Sequence, residues 1–361
     1  MGQVSVQLFS LFDLTELSIT PGGAAYCNQS GAVQIGDTLD ISVLDNSISC
    51  NGGAAAKLKI TAKEGSSLIC ILPELTRSFP GVIEISQKNG YLQVINTLPL
   101  EDYVSRCLAS ESPSDAPIEA QKALAVVIRT FAVSGDHHPE SPALLCDGTH
   151  CQAYFGDEKL SKFTLEATEK TRGVLLFYNG RPAQVAFTAC CGGITRSPEW
   201  IWGSIKQDNS QPSILAAPEL SSVQDPWCAM SEYSNWRVEF DEERTSCLFD
   251  SLSCDNIEGV QIIERAPDNR AAAINVLHST GVKQLSGREF WERAVAALGW
   301  GSIPAIPDSI EIADGRITLA GRGFGHCVGL CQYGATAQAN AGLDYKEILE
   351  FYFPSCEILK R

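Results

Sequence analysis

The sequence predicts an α+β fold, a strand-rich scaffold around one central buried helix, and three observations carry that expectation. Residues 1 to 97 alternate apolar and polar side chains with period two, interrupted by Gly, Asn, Asp and Pro. One long apolar stretch, "IEAQKALAVVIRTFAVS" at residues 118–134, has the length and continuity of a buried helix. Strand and helix patterns then intermix to the last residue without the steady alternation of a doubly wound sheet.

Taken in order, "VSVQLFSL", "DTLDISVLD" and "AKLKITAKE" read as strands. Residues 1–12 alternate rather than run from basic to apolar, so they read as a first strand and not as a signal peptide. Asn89-Gly90 between apolar alternations signals a hairpin, and the strand pattern is read on to Val104. Ser114 or Asp115 is expected to cap the buried helix, with Pro117 in its first turn. A polar loop containing His137, His138 and Pro139 follows. Further hairpins are expected at Asn179-Gly180 and Asp314-Gly315. Residues 230–285 read as short strands and loops. Ser286, with Glu289 three residues on, should cap a helix. "CQYGATAQANAGL" and "DYKEILEFYFP" read as two short closing helices.

Charge narrows the function. The 361 residues carry a formal charge of -16, which repels phosphate backbones and anionic membranes. Nucleic acid is therefore a poor partner, whereas a neutral glycan is not repelled. The chain has no run of about 18 apolar residues, so no transmembrane segment is expected. Fourteen cysteines are an even number. Two or three disulfides are expected among Cys27, Cys50, Cys70, Cys247, Cys254 and others. The tight pairs Cys146/Cys151, Cys190/Cys191 and Cys327/Cys331 suit a metal better.

Four stretches offer chemistry. Glu111 precedes the apolar helix, where burial would raise a carboxyl toward the neutrality that a general acid needs. Lys122 and Arg129 are the cations within that helix and sit two turns apart on one face. Each needs a partner, and Glu111 and Glu119 are the natural ones, in a buried ion network or in a reactive site. In "DHHPESPALLCDGTHCQAY", Cys146, His150 and Cys151, with His137 or His138, could close a four-coordinate structural zinc shell; a Cys146–Cys151 disulfide is the alternative. Residues 321–335, "GRGFGHCVGLCQYGA", combine five glycines with Gly325, His326, Gln332 and Tyr333 and read as a substrate-facing loop, or simply as a closely packed one. "TACCGGITRSPEWIWG" places Gly192 and Gly193 in a turn before Trp200 and Trp202, whose rings are either sugar-stacking platforms or core. No nucleophile elbow and no paired-histidine zinc-protease motif is present.

These stretches, in this order, resemble the SpoIID family, stage II sporulation protein D and its amidase-enhancer relatives. "LPLEDYVSRCLASESPSDAPIEAQKALAVVIRTFA", "CDGTHCQAY", "FTACCGGITRSPEWIWG", "GRGFGHCVGLCQYGA" and "DYKEILEFYFPSCEI" carry the resemblance. It covers residues 98–361, weakly over 230–310, and implies a catalytic domain there behind a β-rich region at 1–97. It further implies a lytic transglycosylase of the cell envelope that acts on peptidoglycan glycan strands. Glu111 would be the catalytic acid/base, Lys122 and Arg129 an essential basic pair, and Cys146, His150, Cys151 and one of His137 or His138 zinc ligands. Gly192, Gly193, Trp202, Gly325, His326, Gln332 and Tyr333 would face substrate. The alternative is a non-catalytic wall-binding activator with a cell-wall amidase as partner. Ser112, Leu124, Cys327 and Cys331 depart from the family pattern. The last two suggest a private metal or disulfide with Cys190 or Cys191.

Overall fold

Period-two alternation in the N-terminal region becomes two layered sheets. The structure, a computed structural model, describes residues 2–27, 33–135, 137–138, 140–203, 217–254 and 256–361. A seven-stranded sheet runs in the order Leu145–Cys146, Gln3–Leu8, Tyr91–Pro99, Val82–Lys88, Lys57–Ala62, Ala25–Cys27 and Val33–Ile35. A six-stranded sheet runs Leu75–Pro80, Ser67–Leu72, Glu16–Pro21, Leu39–Leu44, Ser47–Cys50 and Gly53–Ala55. Alternate residues point inward: Val4, Val6 and Leu8 are buried on one strand, and Leu58, Ile60, Ile83 and Ile85 on two others of the same sheet. The hairpins form where expected. Asn89, Asn179 and Asp314 take φ of 55°, 50° and 50°, each followed by a glycine of positive φ, as a tight two-residue turn requires.

The chain divides into two compact units. The first holds the described residues up to Pro182 together with Ile358–Arg361; the second holds those from Ala183 to Glu357. A boundary at residue 97 therefore does not separate the units. Strand Tyr91–Pro99 runs directly into helix α1 (Leu100–Glu111), and the sheet and the helices after it lie in one unit.

Helix α1 corrects the strand pattern read through Val104. Pro99 (φ -58°) precedes it, and Glu101 and Asp102 place negative charge in its first turn, where the helix dipole favours it. Helix α2 (Ile118–Val133) is the expected buried helix, with Ala120, Ala123 to Thr130 and Ala132 all buried. Its N-cap is Pro117, with no side-chain hydrogen bond, so Ser114 and Asp115 do not cap it. Helix α3 (Lys162–Lys170) was not expected. Ser161 and Thr164 cap it reciprocally.

One ion pair binds these helices. Arg129 is fully buried on α2, and Nε and Nη2 donate to the two carboxylate oxygens of Glu101 on α1 at 3.0 and 2.6 Å. Arg129 also donates to the carbonyls of Thr168 and Val174, and Glu101 accepts from the Gly173 amide at 3.3 Å. The partner of Arg129 is thus Glu101, not Glu111 or Glu119. Lys122 donates to Glu119 at 2.5 Å, three residues away on the same helix.

In the second unit, Trp236–Phe240, Arg316–Gly321 and Ser309–Ala313 form one small sheet, and Ile257–Arg265, Ala271–His278 and Gly281–Ser286 another. Helix α4 (Glu199–Trp202) is one turn long. Helix α5 (Glu242–Ser251), capped by Asp241, lies where only strands and loops were expected. Ser286 caps α6 (Gly287–Leu298) as anticipated, accepting from Glu289 N at 3.0 Å. Helices α7 (Gln332–Asn340) and α8 (Tyr345–Tyr352) close the unit. Among the described residues no helix is long and apolar enough to cross a membrane.

Breaking a buried pair leaves a charge uncompensated in low dielectric, whereas a partly exposed pair contributes little. Arg129→Ala is expected to cost about 3–5 kcal/mol, and Lys122→Ala about 0–1 kcal/mol. Urea unfolding of both variants checks the difference.

Candidate functional site

Glu111 is the last residue of α1 and is half-buried. That position sets its chemistry. The final carbonyls of a helix point past its C-terminus and disfavour negative charge there. Burial disfavours it further and raises the Glu111 carboxyl from 4.5 to about 7, opposed by the Ala153 amide and by Lys159. The amide of Ala153 donates to Glu111 Oε1 at 2.5 Å.

Ala153 belongs to a segment laid along α1. Tyr103 Oη donates to Gln152 at 3.0 Å, the Phe155 amide to Ser110 Oγ at 3.1 Å, and Arg106 Nε to Asp157 at 2.7 Å. Tyr154 Oη, between them, donates to Asn96 at 2.7 Å. Residues 152–157 therefore reach Glu111 from a track with a contact at almost every residue.

The Cys/His loop immediately precedes this segment. Ligand atoms of His138, Cys146, His150 and Cys151 all lie within 4.8 Å of one another. His138 Nε2 is 3.2 Å, and His150 Nδ1 3.6 Å, from Cys151 Sγ. Two sulfurs and two imidazoles suit a closed tetrahedral zinc shell. The hydrogen bond between the two thiols pulls Cys146 well below its ordinary value, helped by His150 and His138, and pushes Cys151 above its own. A thiolate is the form that binds metal. His137 does not join the cluster. Its ring stacks on Phe131 with centroids 4.0 Å apart, and Nε2 lies 2.8 Å from the Phe131 carbonyl. Cys146 pairs with the first strand in parallel, Gln7 opposite Cys146, and the Asp147 carboxylate accepts from the amides of Phe9 and Ser10. Both tie the loop to the sheet.

The remaining candidates lie in the second unit. Residues 187–193 and the glycine loop pack together. Phe187–Thr188 runs parallel to Leu330–Cys331, Cys190 bridges to Phe324, and Thr188 Oγ1 donates to the Phe324 carbonyl at 2.9 Å. Gly192 (φ 70°) and Gly325 (φ 94°) sit at this junction, where an added β-carbon would strike Gly323 and Thr188 respectively. Gly193 (φ 96°) has open space beside it, so its requirement is conformational. His326 stands 5.4 Å from the Trp202 ring. Burial lowers the His326 imidazole to about 4, so it is neutral at pH 7. Tyr333 is 38% exposed and its hydroxyl reaches Glu232 at 3.3 Å. Gln332 begins α7 beside it and is half-buried.

The expected disulfides do not form: none of the fourteen cysteines is joined to another. Cys50 and Cys70 lie on strands of one sheet with two strands between them, about 14 Å apart at the usual strand spacing and beyond disulfide reach. Cys327 donates to the carbonyls of Cys190 and Gly325.

Sequence reading missed Glu101, Ala153 and Lys159. Glu101 was hidden because its helix was read as strand. The other two act through the fold alone.

Because the native chain holds the Glu111 proton more tightly than the unfolded chain, this group favours folding at low pH. The contribution declines as pH rises through 4.5 and is lost above about 7. Relative to Glu111→Gln, the wild type should lose on the order of 3 kcal/mol of stability between about pH 4 and pH 8. Paired denaturation curves across that range measure it.

Known proteins resemble this chain in sequence. The family model SpoIID, stage II sporulation protein, matches residues 88–178, which contain Glu111, Lys122, Arg129 and the Cys/His loop. An uncharacterized protein of Brachyspira hyodysenteriae is 30% identical over 275 residues, 75% of this chain and 69% of the relative. Stage II sporulation protein D of Bacillus subtilis is 30% identical over 289 residues, 74% of this chain and 76% of the relative. The amidase enhancer of Bacillus subtilis is 25% identical over 283 residues, 68% of this chain but 39% of that longer protein. With a sporulation protein matched at that identity over three quarters of its length, the chain belongs to the SpoIID family.

Proposed function

We propose that this protein is a peptidoglycan lytic transglycosylase in which Glu111 is the single acid/base. The observation that carries the proposal is a carboxyl at a helix C-terminus held near neutrality by burial. Membership of a family whose relatives are named for sporulation and for amidase enhancement supports a role at the cell wall.

Hydrolytic glycosidases usually need two carboxyl groups. A transglycosylase that uses the sugar's own hydroxyl as nucleophile needs one. Protonated Glu111 gives its proton to the oxygen joining N-acetylmuramic acid to N-acetylglucosamine. As that bond breaks, positive character develops at the muramic C1. The ionised Glu111 then takes the proton of the same sugar's C6 hydroxyl as that oxygen bonds to C1. The products are a 1,6-anhydro-N-acetylmuramic acid end and an N-acetylglucosamine end with its hydroxyl restored, and Glu111 is protonated again. Nucleophile and electrophile share one ring, so proximity costs nothing. A carboxyl near 7 is matched to giving and then taking a proton at neutral pH. The Ala153 amide orients it, and Lys159 stabilises the ionised state.

In this reading zinc at His138, Cys146, His150 and Cys151 is structural and supplies rigidity to the loop ahead of Ala153. Arg129 is a positioning residue through Glu101, and Lys122 steadies α2 through Glu119. The glycines, Trp202, His326, Gln332 and Tyr333 of the second unit are proposed to receive glycan.

A second reading is favoured by one observation, the relative named amidase enhancer. It keeps the fold and the wall contact and makes this chain the activator of a separate amidase. Glycan strands with and without stem peptides, incubated with the protein and analysed by mass spectrometry, separate the two. The first reading predicts 1,6-anhydromuramyl ends that fall by at least ~100-fold with folded Glu111→Gln. Wall binding without any anhydro product would hand the function to the activator reading.

A further inference from the structure

A second cluster of metal-binding side chains lies in the second unit, and none of the steps above uses it. Cys191, Asp225, Cys228 and Cys331 are all buried, and their ligand atoms lie within 4.8 Å of one another. Local structure brings them together. The parallel pairing of Phe187–Thr188 with Leu330–Cys331 sets Thr188 opposite Cys331 and carries Cys191 alongside. The Cys191 amide donates to Cys331 Sγ at 3.3 Å. Gly192 and Gly193, both of positive φ, then turn the chain so that the Gly193 amide donates to Cys228 Sγ at 3.2 Å. Cys228 stands on the short 3-10 turn Pro226–Met230, whose N-cap is Asp225.

We propose that Cys191, Cys228 and Cys331, through sulfur, and Asp225, through a carboxylate oxygen, hold a structural Zn2+. Zinc bound to thiolates at about 2.3 Å implies sulfur–sulfur edges of about 3.8 Å. Cys191 and Cys228 are 3.5 Å apart, and Cys191 Sγ is 3.2 Å from Asp225 Oδ2. A disulfide would use two sulfurs and leave a third sulfur and a carboxylate crowded in the core. A cation engages all four. Three sulfur-rich donors and one oxygen suit zinc rather than calcium or magnesium.

The surroundings resemble a metal shell. Cys331 Sγ accepts backbone hydrogen bonds from Cys191 and Gly334, and Cys228 Sγ one from Gly193, the kind of contact that orients metal-ligating sulfur. Tyr352 Oη and the Trp227 amide donate to the two oxygens of Asp225 at 2.9 and 3.0 Å, fixing its orientation. A β-carbon at Gly334 would collide with the Tyr352 hydroxyl and the Asp225 carboxylate, so the packing there admits only glycine. Three thiolates and a carboxylate around Zn2+ carry net negative charge. The guanidinium of the fully buried Arg270 donates to the Cys191 carbonyl at 2.6 Å and offsets part of it. Cys190, whose thiol neighbours those of Cys228 and Cys331, is an adjacent fourth sulfur. The ion would fasten the strand after Ala183, the turn at Asp225 and the start of α7 to one another.

The test uses Co2+ as probe on the full chain carrying Cys146→Ser and Cys151→Ser, which removes the first cluster. After chelation, Co2+ titration should show one bound equivalent with thiolate-to-cobalt charge-transfer absorption, displaced by Zn2+. Adding Cys228→Ser should lower that absorption by about a third, one sulfur of three, and weaken binding at least ~10-fold. Absent charge transfer, or absorption unchanged by Cys228→Ser, overturns the proposal. Because these variants are open to misfolding, the wild-type chain supplies a second readout. Under native alkylation with mass mapping, Cys191, Cys228 and Cys331 should be protected with zinc and labelled after chelation, while exposed Cys247 is labelled in both. Labelling of the three that ignores chelation, or a disulfide among them, also overturns it.

Discussion

The buried pairing of Arg129 with Glu101 is the constraint on which the first unit depends. A guanidinium and a carboxylate, both removed from water, are tolerated only because each oxygen of Glu101 and each nitrogen of Arg129 has a partner. Those partners come from α1, α2, the end of α3 and the strand beginning at Val174. The pair therefore fixes four pieces of chain at once, and none of them can shift without leaving a charge unpaired. A basic residue that the family resemblance marks as essential has here a structural reason to be so.

Glu111 follows from that geometry. Held by Arg129 through Glu101 in its first turn, α1 delivers its C-terminal residue to a partly dry position about three turns further on. Helix dipole and burial push the carboxyl toward its neutral form. The Ala153 amide and Lys159 pull it back, and burial prevails. The Cys/His loop enters through covalent continuity. Cys151 is two residues ahead of Ala153, and its loop is pinned to the first strand by Asp147. A structural metal there would act on the proposed chemistry by fixing the amide that touches Glu111, without taking part in any step.

Much of this was legible in the sequence, for identifiable reasons. Hairpins at Asn89, Asn179 and Asp314 were readable because their turn type demands residues that tolerate positive φ. The buried helix was readable because its apolar character is continuous. The Cys/His loop was readable from spacing, though spacing could not choose between His137 and His138; that choice is made by the stacking of His137 on Phe131. Helix α1 was missed because "LPLEDYV" alternates like the strand before it, and what makes it helical is a tertiary partner 28 residues away. Glu101 was lost with it, so Arg129 was assigned the wrong carboxylate. Cys228 was missed because it lies 37 residues from Cys191 in no spacing pattern and meets it where the Gly192–Gly193 turn packs against the 3-10 turn that carries Cys228.

The central claim is that a buried carboxyl at the end of α1 stays protonated near neutral pH. Direct titration of Glu111 by carboxyl-carbon NMR in the folded full chain, assigned by difference from Glu111→Gln, tests it most closely. The account predicts a midpoint of about 7. A midpoint near the ordinary 4.5 would mean that the carboxyl is ionised throughout the neutral range, and Glu111 could not serve as the acid.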